Sequence, residues 1–132
     1  MPQIRSALVV DDDDLVRSTV VSALAAREIS VVEAADGKDA LGLAAGTCFD
    51  LVISDLFMPG MDSLALIPEL RKRCPNARII LTTGGSRMFP IGGSGIHNLE
   101  ETAKFLGASL VIRKPFRPSD LMAAIRVLES AE

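Results

Sequence analysis

Short apolar runs that alternate with segments of helical periodicity restrict most strongly how this chain can fold. Each run is almost continuously hydrophobic, as expected of a strand that is buried on both faces of a sheet. The runs lie at residues 7–10, 30–32, 51–53, 78–81 and 110–112. The segments between them include apolar residues spaced by one helical turn, such as Val16, Val20 and Leu24. This alternation predicts an α/β fold, with a parallel sheet, helices on both faces and right-handed crossovers.

Further helices are predicted at residues 38–45, 64–73, 96–106 and 121–128. Pro68 lies about one turn into the second of these, so that helix should begin late or bend there. Residues 84–95 form a long glycine-rich connection after the fourth strand. This connection contains no phosphate-binding glycine motif, so we expect a flexible surface loop.

The length of the chain and its net charge limit the classes of function that the protein can have. A chain of 132 residues fits one domain, which we expect over residues 1–132 with a core at about 5–128. The net charge of −3 argues against binding to nucleic acid or to an anionic membrane surface. No apolar run approaches the roughly 20 residues needed to span a bilayer, and no signal peptide is evident. We therefore expect a cytoplasmic protein, in which Cys48 and Cys74 are free thiols.

Polar residues cluster where the predicted strands end. Ligands of open parallel sheets bind at the carboxyl ends of the strands, so these residues are the candidates for a site. They are Asp11 to Asp14 after the first strand, Ser54 and Asp55 at the third, Thr82 and Thr83 at the fourth, and Arg113 and Lys114 at the fifth.

The acidic run has two interpretations. Asp13 and Asp14 directly precede a helix, where a carboxylate accepts backbone N–H bonds and complements the helix dipole. Asp11 and Asp12 follow the strand, and two adjacent carboxylates there are costly unless a cation neutralises them. Oxygen ligands without nearby His or Cys favour Mg²⁺. Asp55 alone could start a turn, but beside this pair it is a candidate nucleophile toward phosphorus.

Four motifs together resemble the receiver domain of two-component response regulators. They are Val9-Val10-Asp11-Asp12, the segment from Asp55 to Asp62, Thr83-Gly84 and Lys114-Pro115-Phe116, in family order and at family-like spacing over nearly the whole chain. The resemblance implies a flavodoxin-like, doubly wound sheet of five parallel strands in the order 2-1-3-4-5. Two positions depart from the family pattern, since Ser63 stands where receivers usually carry Gly and Val111 stands at the aromatic switch position.

The resemblance also implies roles for individual residues. Asp55 would accept a phosphoryl group from a histidine kinase or phosphotransfer protein. Asp12, Asp55 and the backbone carbonyl of Phe57 would ligate Mg²⁺, and Asp11 would act largely through water. Lys114 would pair with the phosphoryl group. Thr83 would move its hydroxyl onto that group, with Thr82 as the rival for this role.

The expected function is a signalling switch that assists its own phosphorylation and dephosphorylation but is not formally an enzyme. Only four residues follow the last predicted helix, so we expect output through a protein partner rather than through DNA. The partner would bind the face formed by residues 96–106, the fifth strand and the last helix, with the protein a monomer or a phosphorylation-dependent dimer. Two alternatives remain: an unphosphorylated pseudo-receiver adaptor, and a phosphatase of the haloacid dehalogenase type using Asp11.

Overall fold

The computed structural model describes residues 3–56, 63–84 and 107–130. The strands are β1 (Ser6–Val10), β2 (Ser30–Ala34), β3 (Leu51–Asp55), β4 (Arg78–Gly84) and β5 (Leu110–Lys114). The helices in this part of the chain are α1 (Asp14–Ala25), α2 (Gly37–Leu43), α3 (Ser63–Arg73) and α4 (Pro118–Ser130).

The five strands form one sheet in the order β2-β1-β3-β4-β5. Every neighbouring pair is parallel. All five residues of β3, the central strand, are buried, which explains why its sequence is continuously hydrophobic before the polar end. The predicted fold class and strand order are therefore confirmed.

Two apolar clusters cover the two faces of this sheet. The α2–α3 face contains Leu8, Val10, Val52, Ile79 and Leu81 together with Ala40, Leu66, Ile67 and Leu70. The α1–α4 face contains Ala7, Val9, Leu51, Ile53 and Ile80 together with Val20, Leu24, Leu121, Ile125 and Leu128. Alternate residues of each strand thus enter opposite clusters, because successive side chains of a strand point to opposite faces.

Some predicted helix boundaries need correction. α3 begins at Ser63 and continues through Pro68, so the helix does not begin late, and the alternative of a bend at Pro68 stays a prediction. Pro68 is the sixth residue of α3, so its missing amide hydrogen costs the helix one internal hydrogen bond, and burial of Leu66, Ile67 and Leu70 in the α2–α3 cluster offsets that cost. The predicted helix at 96–106 and the glycine-rich connection at 84–95 lie outside the described residues, apart from Gly84 at the end of β4.

The prediction of two free thiols is wrong. Cys48, in the connection from α2 to β3, forms a disulfide with Cys74, which directly follows α3. The two Cα atoms are 5.5 Å apart. The two residues meet because β3 and β4 are adjacent and each cysteine precedes the amino end of one of these strands.

Candidate functional site

Three of the predicted site residues share one edge and one face of the sheet. Asp11 follows β1, Asp55 ends β3 and Lys114 ends β5. In each strand the residue two positions earlier packs on the α1–α4 face: Val9, Ile53 and Ile112. Because side chains alternate along a strand, the two carboxylates and the ammonium group lie on the same face of the sheet at its carboxyl edge.

The Lys114 ammonium bridges the two buried carboxylates. Its Nζ donates to Asp11 Oδ2 at 3.0 Å and to Asp55 Oδ2 at 3.2 Å. Asp11 and Asp55 are only 3% and 5% exposed, so water screens these contacts weakly. Burial of Lys114 opposes its charge, but the hydrogen bonds and charges of Asp11 and Asp55 outweigh burial and raise its pKa above the usual range. The lysine thus stays charged and holds the two acids together.

The carboxylates of Asp11, Asp12 and Asp55 form a group that fits a divalent cation. One oxygen from each lies within 4.8 Å of the others. Asp12 is exposed at the mouth of the site, whereas the other two are buried. An all-oxygen donor set of this kind suits Mg²⁺. The fourth predicted ligand, the carbonyl of Phe57, lies outside the described residues.

Hydrogen bonds at the start of α1 position the acidic run. Asp13 is the N-cap, and its Oδ1 accepts from the amides of Leu15 at 2.9 Å and Val16 at 3.2 Å. Asp14 lies in the first turn of α1. Asp11 Oδ1 accepts from the amide of Asp13 at 2.9 Å. The predicted capping by Asp13 is therefore confirmed, and Asp11 is buried in contact with Lys114.

Arg17 is a residue of this region that the sequence analysis missed. Its Nη1 donates to the backbone carbonyl of Asp11 at 2.6 Å. The same guanidinium pairs with Glu33 of β2 at 3.0 Å and with Asp14. Every residue has a backbone carbonyl, so the sequence does not indicate which carbonyl an arginine will bind. Only the position of Arg17 one turn into α1 could have suggested this contact.

The two candidate hydroxyl residues lie side by side in β4. Thr82 and Thr83 are both buried. Thr82 pairs in register with Asp55, and Thr83 pairs with Arg113. Thr83 has the same orientation in β4 as Ile79 and Leu81, which pack on the α2–α3 face. Val111 of β5 is partly buried against that face. By the same alternation Thr82 lies on the α1–α4 face with Asp55, whereas Thr83 lies on the α2–α3 face with Val111.

Comparison with known proteins identifies the family. The family model described as the response regulator receiver domain matches residues 7–126. The chain therefore belongs to the receiver domains of two-component response regulators. Receiver domains are signalling domains rather than enzymes of the usual kind, they bind Mg²⁺ at an acidic pocket, and they interact with histidine kinases and downstream effectors.

Individual relatives agree with this assignment. The chain is 35% identical over 123 residues to the sensor kinase CckA of Brucella abortus, covering 92% of this chain and 12% of that protein. The chemotaxis response regulator CheY4 of Vibrio cholerae has a TM-score of 0.81 and 26% identity, with 96% of this chain and 99% of that chain covered.

A response regulator protein from Burkholderia pseudomallei, solved with a phosphorylated aspartic acid, a calcium ion and citrate, has a TM-score of 0.77 and 26% identity. The match covers 96% of this chain and 73% of that one. The chain spans less than half of the length of the curated relatives that it matches. None of the helices within the described residues is long and apolar enough to cross a membrane.

Proposed function

We propose that this receiver domain is a phosphorylation-dependent switch that accepts a phosphoryl group on Asp55 from a histidine kinase or a phosphotransfer protein. The observation that carries this proposal is the contact of Lys114 Nζ with both Asp11 and Asp55 at the carboxyl edge of the sheet. A buried carboxylate beside a fixed ammonium group and two further carboxylates is suited to phosphoryl transfer, because positioning and charge supply most of the catalysis in that reaction.

The transfer would proceed at the carboxylate of Asp55. One of its oxygens attacks the phosphorus of a phosphohistidine, and the P–N bond breaks with its electron pair passing to the imidazole nitrogen. The product is an aspartyl phosphate and a histidine. Lys114 then moves from Asp55 onto a phosphoryl oxygen while it keeps its contact with Asp11, since one ammonium group offers three donors.

Asp11, Asp12 and Asp55, with the carbonyl of Phe57, would hold Mg²⁺ at this edge. The bound cation supplies positive charge that offsets the negative charge of the carboxylates and the phosphoryl oxygens. The Burkholderia pseudomallei relative was solved with a phosphorylated aspartic acid and a calcium ion, which supports an aspartyl phosphate and a divalent cation for this receiver domain.

The signal would leave the site through Thr83 and reach a protein partner. Thr83 would donate its hydroxyl to the phosphoryl group, with Thr82 as the alternative donor. Output would follow from partner binding at β5 and α4, together with the helix expected at residues 96–106, which lie outside the described part of the chain. We expect the domain to act in the cytoplasm, without nucleic acid or membrane contact, as a monomer or as a dimer formed on phosphorylation.

Labelling with acetyl phosphate tests the proposal. The protein is incubated with and without Mg²⁺, and the intact mass is recorded for the wild type, Asp55→Ala and the control Asp39→Asn. Asp39 is an exposed carboxylate in the first turn of α2. We expect a Mg²⁺-dependent gain of one phosphoryl group in the wild type and the control, and no gain in Asp55→Ala.

Other outcomes contradict the proposal in distinct ways. A gain that persists in Asp55→Ala but disappears in Asp11→Ala would indicate phosphatase-like chemistry at Asp11. Folded wild-type protein that takes up neither the phosphoryl group nor beryllofluoride would instead be a pseudo-receiver adaptor. The beryllofluoride measurement distinguishes this case from rapid hydrolysis of the aspartyl phosphate.

A further inference from the structure

The disulfide lies at the end of the sheet opposite to the acidic site. Cys48 and Cys74 precede the amino ends of β3 and β4, whereas Asp55 lies at the carboxyl end of β3. The five residues of β3 separate the two ends by about 16 Å at the usual rise of a strand. The role proposed for Asp55 does not use these cysteines, so any function of the pair is independent of that role.

The backbone around the cysteines is held by hydrogen bonds that do not depend on the disulfide. Arg73 Nη1 donates to the carbonyl of Leu41 at 3.0 Å and so links the end of α3 to α2. Arg71 donates to the carbonyls of Pro75 and Gly107 at 2.9 and 2.6 Å. The Cα separation of 5.5 Å also lies in the range that disulfides ordinarily span. The reduced protein should therefore keep the two thiols within bonding distance.

The two cysteines differ strongly in exposure. Cys48 is exposed in its connection, whereas Cys74 is only 5% exposed. The amide of Cys74 donates to the carbonyl of Leu70 at 2.7 Å, which places this residue at the C-terminal end of α3. A dissolved reagent must reach the sulfur in order to react with it, so burial makes Cys74 the slower of the two residues in an encounter with a small molecule. A dissolved reagent therefore reacts first with Cys48, whereas Cys74 reacts with the neighbouring Cys48 sulfur.

We propose that Cys48 and Cys74 form a reversible thiol–disulfide modification site whose reactants are small-molecule disulfides and thiols. The thiolate of Cys48 attacks a small disulfide, so that a mixed disulfide forms and one small thiolate leaves. The thiolate of Cys74 then attacks the Cys48 sulfur, which forms the Cys48–Cys74 bond and releases the second small thiolate. Two protein thiols are oxidised and one small disulfide is reduced to two thiols, with protons taken up from solvent by the leaving thiolates.

The bond formed in this way crosslinks two elements of the α2–α3 face. It joins the connection before β3 to the end of α3, across a sequence separation of 26 residues. A crosslink over a loop of this length restricts the unfolded chain, so the oxidised protein should resist unfolding more than the reduced protein does. The site would therefore adjust the stability of the domain according to the redox state of its surroundings.

Oxidised glutathione is the probe for the order of attack. Reduced wild-type protein, Cys74→Ser and Cys48→Ser are incubated with it, quenched with acid, alkylated with N-ethylmaleimide and weighed intact. We expect the wild type to lose two hydrogens and to accept no maleimide. Cys74→Ser should accumulate one glutathione adduct on Cys48, and Cys48→Ser should react at least tenfold more slowly, because its remaining thiol is buried.

Three results would overturn the proposal. The wild type could retain both alkylatable thiols, it could stop at the mixed disulfide, or Cys48→Ser could react as fast as Cys74→Ser. A second measurement needs no variant to fold, since it compares the urea midpoints of the oxidised and reduced wild-type protein. A higher midpoint for the oxidised form supports the crosslink, and equal midpoints contradict it. Acetyl phosphate labelling of the same samples is recorded separately, so that failure at Asp55 is not confused with failure at the cysteines.

Discussion

The guanidinium of Arg17 holds the backbone carbonyl of Asp11 at 2.6 Å. Because Arg17 also pairs with Glu33 and Asp14, it ties the end of β1 to β2 and to the first turn of α1. The hydrogen bond to Asp14 affects the pKa of Arg17 most, and together with the hydrogen bond to Glu33 and the charges of both carboxylates it outweighs burial and raises that pKa. A permanently charged group therefore orients the short connection that carries the acidic pair, without contacting either side-chain oxygen of Asp11.

Arg17→Ala should weaken cation binding at the acidic pocket. Mutation of residues that orient metal ligands typically lowers the metal affinity by 10–100-fold. We expect a loss of about tenfold here, because Asp11 keeps its contact with Lys114. The measurement is the Mg²⁺ concentration that gives half-maximal labelling by acetyl phosphate. Arg126→Ala, at an exposed position of α4, is the control. An unchanged Mg²⁺ requirement in Arg17→Ala would show that this residue has only a structural role.

Lys114→Met should destabilise the protein in a way that Mg²⁺ partly reverses. The substitution leaves the buried carboxylates of Asp11 and Asp55 close together without their shared cation. Removing one partner of a buried ion pair costs roughly 3–5 kcal/mol, and partial exposure of the lysine reduces our expectation to about 2 kcal/mol. Urea unfolding followed by circular dichroism measures this loss with and without Mg²⁺. We expect Mg²⁺ to take over from the Lys114 ammonium group in neutralising the two carboxylates. Equal stabilisation of the variant and the wild type by Mg²⁺ would contradict this expectation.

The strands of the sheet were predictable because the hydrophobic pattern that indicates a buried strand lies within each strand's own sequence. A run such as 51–53 is hydrophobic throughout, which indicates burial on both faces, and the polar residues that follow mark the edge where a site forms. Periodicity does not state which strands are neighbours, however. The strand order came from the resemblance of Asp11, Asp55, Thr83 and Lys114 with their flanking residues to a known family, and the structure confirms it.

The features missed are those that arise only from contacts between distant segments. Cys48 and Cys74 have no spacing motif, and they meet only because β3 and β4 are adjacent in the sheet. Arg17 acts on a main-chain carbonyl, which every residue possesses, so residue types give no signal for the contact. α3 begins before Pro68 rather than after it, because tertiary packing of Leu66, Ile67 and Leu70 outweighs the local cost of proline.

Thr83→Ala and Thr82→Ala should separate the two candidate switch hydroxyls. If Thr83 transmits the signal, its alanine variant should still accept the phosphoryl group but should lose the accompanying change around Val111, which lies on the same face. The measurement is hydrogen exchange of the β5 peptide with and without beryllofluoride, after labelling has been checked by mass. Thr82→Ala should retain the wild-type change in exchange. Loss of that change in Thr82→Ala alone would assign the role to Thr82.

Glu129→Gln should remove a pH-dependent part of the stability at the opposite end of the sheet. Glu129 Oε2 accepts from the amide of Ile4 at 3.0 Å, and Oε1 accepts from Arg27 Nη2 at 3.0 Å, so α4 is fastened to the chain before β1 and to the turn after α1. Burial acts to raise the pKa of Glu129, but these hydrogen bonds and the charge of Arg27 outweigh it and leave the pKa lowered.

A lowered pKa in the folded state means that Glu129 stabilises the protein above the pKa of the unfolded chain, about 4.3, and that this contribution is lost as the pH falls through the folded value. We therefore expect Glu129→Gln to cost about 1 kcal/mol at pH 7, the modest value of a solvent-screened, charge-assisted hydrogen bond. Urea unfolding at a series of pH values should show the difference from wild type shrinking below about pH 4. Glu69→Gln, which alters an exposed pair with Lys72, should have little effect at any pH. A pH-independent loss in Glu129→Gln would mean that shape and packing, rather than charge, account for the contribution of this residue.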